Sequence, residues 1–157
     1  MTFTIQHIIE SVALHLRATF NSAYPVYDAP TIDTEYPCFY VFLMNPGISD
    51  DIIPYGKRDI PLDVVFVQQR NVPNANMKIH KIAETLDEAL DMLPYTDGTE
   101  ANGQTVYIPL HTYERSWSIE DEELHYKFTL RQRVTLPQSG VKMKTEETNV
   151  EVEEGND

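Results

Sequence analysis

The sequence predicts an α+β fold, a single domain in which a mostly antiparallel sheet carries two helices against it. Three observations predict it. Apolar residues recur at helical spacing in two separate stretches, over about 4–20 and from Asn74 to Leu93. Several other stretches alternate or run apolar and are bounded by Pro, Gly, Asn and Asp. The length, 157 residues, supports one core rather than two.

In the first helix Ile5, Ile8, Ile9, Val12 and Leu16 form one stripe, with Phe20 a turn further on. Thr4 or Thr2 caps its start, Gln6, Glu10 and Arg17 face water, and Asn21-Ser22 ends it. Tyr24–Tyr27 is a short extended segment, and a turn follows around Asp28-Ala29-Pro30. Pro37–Met44 is a strand apolar on both sides, with Cys38, Tyr40, Phe42 and Met44 on one and Phe39, Val41 and Leu43 on the other. Such a strand is central and covered twice, the second cover being a helix or another subunit. Residues 45–58 read as a long connection, with turn signals at Asn45-Pro46-Gly47 and Pro54-Tyr55-Gly56. A loop of that length in a small domain is often functional.

Ile60–Gln69 is the next strand. Ile60, Leu62, Val64 and Phe66 share one face, and Asp63, Val65, Val67 and Gln69 lie on the other. In the second helix Ile79, Ile82, Ala83, Leu86, Leu90 and Leu93 form the stripe. Asn74 or Asn76 caps its start and Pro94 stops it. Asp97-Gly98 and Asn102-Gly103 mark loops, Thr105–Leu110 is a strand, and a further β segment runs from about Thr112 to Ser118. Ile119-Glu120-Asp121-Glu122-Glu123 is an acidic tip. Beyond it Leu124, Tyr126, Phe128 and Leu130 alternate with His125, Lys127, Thr129, Arg131 and Arg133, the pattern of a half-buried antiparallel strand with one wet or partner-facing side. The domain is thus expected over 1–136, with 137–157 an acidic tail disordered in the isolated chain.

Charge narrows the function classes. The 25 acidic residues outweigh 12 basic ones, for a formal net charge of -13. A free-standing nucleic-acid binder concentrates Lys and Arg, because phosphate neutralisation supplies most of its affinity. An acidic surface suits solubility, or a passage through which DNA slides without sticking. Cys38 is the single cysteine, so no intrachain disulfide forms, which fits a reducing cytosol. The N-terminus lacks the basic and apolar regions of a signal peptide, and no apolar run is long enough to span a bilayer. The expected site of synthesis is therefore the cytosol, with no membrane partner.

The residues offer little catalytic chemistry. His7, His15, His80, His111 and His125 form no HxH, HxxxH or HExxH motif, so no metal site is expected. Cys38 lies within an apolar strand, which suits a structural thiol rather than a nucleophile. The six glycines are scattered and make no phosphate-binding loop, so no cofactor is expected. Glu120–Glu123 and Asp50-Asp51 are carboxylate runs, but catalytic carboxylates need burial to separate their pKa values, and a run at a tip is solvated. Two features remain as interface candidates: Lys57, Arg58 and Asp59 on the long connection, and Glu120, Asp121, Glu122 and Glu123 at the tip. A basic and an acidic prominence on one small domain suit head-to-tail contact between copies, although ordinary solubilising charge explains them equally. Lys127, Arg131 and Arg133 form a third, basic strip that faces a partner or water.

The ordered pattern resembles the phage tail terminator family of Gram-positive viruses and prophages. The resemblance runs from Ile5 to Leu136. It rests on the opening helix with Ile8-Ile9 and Leu16, the Tyr24–Tyr27 strand, and the Tyr36–Val41 segment with its Pro-Cys-Phe. It continues through Lys57-Arg58 leading into Leu62–Val67, the helix with Ile82 and Leu86, and the closing Asp121–Phe128 strand. The resemblance implies a virion structural protein, not an enzyme, made in the host cytoplasm and ending at the tail–neck junction. Copies would form a six-membered ring on the last ring of tail tube subunits, stop tube growth, and meet the connector or neck proteins of the head. In contractile tails the ring would also anchor the sheath, and DNA would pass through it without specific binding. A different head–tail adaptor, or a small regulatory binding module with a concave pocket, are the other readings that the residues leave open.

Overall fold

The computed structural model describes residues 2–50 and 54–135. Helix α1 spans Ile5–Thr19 and buries Ile8, Ser11, Val12 and Leu16. Thr4 caps it, its hydroxyl accepting from the His7 N–H at 3.1 Å. Asn21 and Ser22, at φ of 52° and 58°, turn the chain out of the helix. Helix α2 spans Ala75–Ala89 and buries Ile79, Ile82, Ala83 and Leu86. Asn74 occupies its N-cap position in the left-handed region but makes no side-chain capping bond.

The main sheet is built from β1 (Val26–Tyr27), β2 (Cys38–Leu43), β3 (Gly47–Asp50), β4 (Tyr55–Val67), β9 (Tyr113–Glu120) and β10 (Glu123–Thr135). Its order is β1-β2-β4-β10-β9, with β3 paired to β4. The β2–β4 and β9–β10 pairings are antiparallel, and the short β1–β2 pairing is parallel. Separate two-stranded ladders join β5 (Met92–Tyr95) to β8 (Ile108–His111), and β6 (Glu100–Ala101) to β7 (Gln104–Thr105). The expected α+β class, with two helices and a mostly antiparallel sheet, is what the chain forms.

One face of the sheet meets both helices. Phe39 and Val41 of β2, Ile60, Leu62, Val64 and Phe66 of β4, and Leu124, Tyr126, Phe128 and Leu130 of β10 join the helix stripes in one buried cluster. These are the faces that the alternation assigned. Each fully buried Leu, Ile or Phe contributes about 1.5–3 kcal/mol, so the cluster dominates the stability. The β5–β8 ladder packs on α1. Ser11 Oγ donates to the Thr96 carbonyl at 3.1 Å and accepts from the Thr96 N–H at 3.0 Å. Phe3 stacks on Tyr95 at 4.6 Å.

Contacts divide the chain into two compact units. The first comprises Met1–Pro46 and Asp59–Arg131. The second comprises, among the described residues, 47–50, 54–58 and 132–135. In the second unit β3 pairs with the start of β4, and the Arg133 guanidinium lies over the Tyr55 ring at 5.3 Å.

Several expectations need correction. Residues 45–58 are not a structureless connection. Pro46 only precedes β3 and Pro54 sits in a turn, while Tyr55, Gly56 and Lys57 alternate exposed, buried, exposed as strand residues. The second helix does not run to Pro94. It ends at Ala89, and Leu93 and Pro94 belong to β5, where Leu93 keeps a buried position that matches the helical phase by coincidence. The 105–110 segment divides between β7 and β8. The acidic tip shrinks to a two-residue turn, Asp121-Glu122, with Ile119 and Glu120 in β9 and Glu123 in β10. On the second face of β2 the side chains that pack within the chain come from strands, not from a helix. Cys38, Tyr40 and Val65 are buried there with Tyr27, Phe42 and Val67 packed around them. The loop before β2 adds to this cover, the Glu35 N–H donating to the Tyr27 hydroxyl at 3.2 Å. The tail at 137–157 lies outside the described residues.

Candidate assembly surfaces

The sheet face away from the helices holds a polar cluster within an apolar setting. Asp63 is the one carboxylate in the middle of β4, opposite Phe42 of β2, and it is buried. Its Oδ2 lies 2.9 Å from Nδ1 of His125 on β10, and His125 Nε2 lies 3.6 Å from Glu123. Asp63 Oδ1 has no hydrogen-bond partner among the described residues. Ser118 is opposite His125 in the β9–β10 register, so the residue types of a hydrolytic triad adjoin. The geometry does not assemble one: Ser118 Oγ donates to Glu120 Oε2 at 3.0 Å, and the His125 Nε2 contact is to Glu123. The pair therefore ties β4 to β10. Sequence reasoning missed it, although a lone Asp in an apolar strand was a usable signal.

Burial pushes the Cys38 thiol upward, with the nearby Glu123 charge adding to the effect, which leaves it a poor nucleophile at neutral pH. The Tyr126 hydroxyl, buried and donating to Asp87 Oδ1 at 2.7 Å, is pushed up to about 12, first by desolvation and then by that carboxylate. Among the described residues no group of three or more His, Cys, Asp or Glu side chains could hold a metal ion. No described helix is long and apolar enough to cross a membrane.

The interface candidates fall into three places. Glu120, Asp121 and Glu122 are exposed at the β9–β10 turn and make no ion pair among the described residues, while Glu123 is half-buried against His125. Asp121 and Glu122 both take positive φ, 52° and 63°, as a two-residue hairpin turn of matching twist requires. Lys57 is exposed and Arg58 half-buried on the β4 portion of the second unit, again without an ion pair among the described residues. The expected third strip is broken up. Arg131 pairs with Asp59 at 3.5 Å and Glu114 at 3.4 Å and stacks over Tyr113 at 4.3 Å. Arg133 lies over Tyr55, and Lys127 is half-buried. Asp59 thus belongs with Arg131 and not with Lys57 and Arg58.

A fourth surface was not foreseen. Strand β9 is exposed along its length except at half-buried Ile119. Trp117 lies opposite Tyr126, hence on the helix-packed face, and its ring is 5.9 Å from that of His80 on α2. Met77 of the same helix is 70% exposed nearby in sequence.

This is a small α+β protein whose prominent chemistry lies in charged and apolar surfaces. A family model described as phage tail terminator protein matches residues 7–142, and the chain belongs to that family. No curated protein matches it. The family is a structural one, so the chain has a structural role in the phage tail and is a component of the virion.

Proposed function

We propose that the protein is the ring that closes the tail tube. Copies assemble head to tail on the last ring of tube subunits, end elongation, and offer the opposite surface to the connector or neck proteins of the head. The observation that carries this reading, beyond the family, is the separation of charge. An acidic turn at Glu120, Asp121 and Glu122 and a basic pair at Lys57 and Arg58 each lack an intrachain ion pair among the described residues. Complementary patches at different places on one chain favour heterologous contact, which closes into a ring when the rotation permits. The net charge of -13 supports a lumen that repels DNA and lets it pass.

The test is tube growth. Tube protein polymerised with this protein present should give shorter tubes with a ring on one end by electron microscopy. An unchanged length distribution, with bare ends, would overturn the reading.

A further inference from the structure

We propose that neighbouring copies join by strand addition, the free edge of β3 in one copy pairing with the free edge of β9 in the next, so that the sheet continues around the ring. The proposal rests on the ring reading and names its contact.

Two strands offer the edges. Among the described residues, strand β9 pairs only with β10, and β3 only with β4. An unpaired edge is a template for another strand, and soluble proteins normally blunt it with Pro, Lys, bulges or a cover. Over Ser116–Ile119 the β9 edge carries no Pro, no charged side chain and no bulge, and no described residue pairs with it. The register slips only further back, between the Lys127 and Thr129 pairings, where Glu114 takes a φ of 55°. The other edge strand, β1, is two residues long and offers little.

The backbone groups available can be named. The two-residue turn makes Glu120 and Glu123 the closing hydrogen-bonded pair. By alternation Ser118 and Ser116 direct their N–H and C=O to β10, and Ile119 and Trp117 direct theirs outward. On the helix-packed side a strand laid on this edge meets Trp117, 38% exposed, beside His80. The β3 strand presents Ile48, 55% exposed, as the apolar residue to cover it.

Charge selects a second copy as the occupant. The residues that accompany β3 in its unit include exposed Lys57 and half-buried Arg58. The residues at the end of β9 are Glu120, Asp121 and Glu122. Edge pairing of β3 with β9 joins a basic set to an acidic one, whereas β9 against β9 is an isologous contact that closes as a dimer and cannot propagate. A contact between unlike edges is heterologous and propagates in one direction, as a ring needs.

The experiment is a cysteine scan on protein assembled in solution and on tail tubes. Ile48→Cys is combined in turn with cysteine at Ser116, Trp117, Ser118 and Ile119, and mild oxidation is followed by denaturing electrophoresis. Paired strands predict two strong positions, two residues apart, each giving a reducible ladder of multimers, with no ladder from any single variant. Even, weak cross-linking at all four positions in particles of unchanged mass would overturn the strand pairing and leave the ring standing. A dimer from a single β9 variant would overturn it in favour of like-edge contact. Absence of any multimer, free or on tubes, would remove the ring reading and this contact together. Trp117→Pro deletes an amide that β10 does not use and should cut the assembled fraction at least tenfold, while Trp117→Phe keeps it. Wild-type assembly by a folded Trp117→Pro protein would also overturn the proposal.

Discussion

Strands β2 and β9 belong to one sheet and differ in almost every respect. β2 is flanked by β1 and β4, and its first four residues are buried on both faces. β9 closes the sheet, and seven of its eight residues are exposed. The first is built for stability and tolerates little change. The second contributes few buried atoms, yet it carries Trp117, an unblunted edge and one side of the acidic turn. Substitutions in the centre should therefore unfold the chain, and those at the edge should leave the monomer intact and alter what it joins.

The largest expected effect lies in the centre. Leu86 of α2 is fully buried in the main cluster. Leu86→Ala should cost about 2–5 kcal/mol by denaturant titration, with assembly lost only because the subunit is lost. A small loss would mean that the core does not carry the stability as argued.

Next is the bond between Tyr126 and Asp87. Tyr126→Phe removes a bond to an exposed carboxylate that water can re-solvate, and should cost about 0.5–1.5 kcal/mol. The bond also predicts alkaline sensitivity. The folded hydroxyl is raised to about 12, above its ordinary value near 10. A raised pKa contributes stability below the unfolded value and loses it as pH climbs through the folded one. Melting temperature should fall between about pH 10 and 12, and Tyr126→Phe should flatten that part of the profile.

The smallest effect on stability comes at the edge. Lys57→Glu with Arg58→Glu should change the folding free energy by no more than about 0.5 kcal/mol, since the sites are surface positions without ion pairs among the described residues. The same change should weaken assembly at low salt, and adding Glu120→Lys and Asp121→Lys should restore it. Unchanged assembly would remove these charges from the contact.

What was legible in the sequence follows the same division. The stripe from Ile79 to Leu86 and the alternation of Ile60, Leu62, Val64 and Phe66 were readable because burial imposes a period on neighbouring residues. β3 was not, because Pro46, Gly47, Pro54 and Gly56 carry the turn chemistry of a loop and only the ladder with β4 overrides it. β5 was missed because Leu93 fits the helical phase of α2 and Pro94 reads as a stop signal. The acidic turn was visible as a run of charge. The Asp63–His125 pair was not, since its partners are 62 residues apart and meet only through the order of strands in the sheet. The same order removed Arg131 from the basic strip and gave it to Asp59 and Glu114.

The most direct test of the central claim is the mass of the assembled protein. Light scattering behind a sizing column, over a wide concentration range, should be run on the protein alone and on the material it forms with purified tail tubes. The account predicts a closed species of about six copies, free or seated on the tube end. Monomers at every concentration, with no protein retained on the tubes, would contradict it.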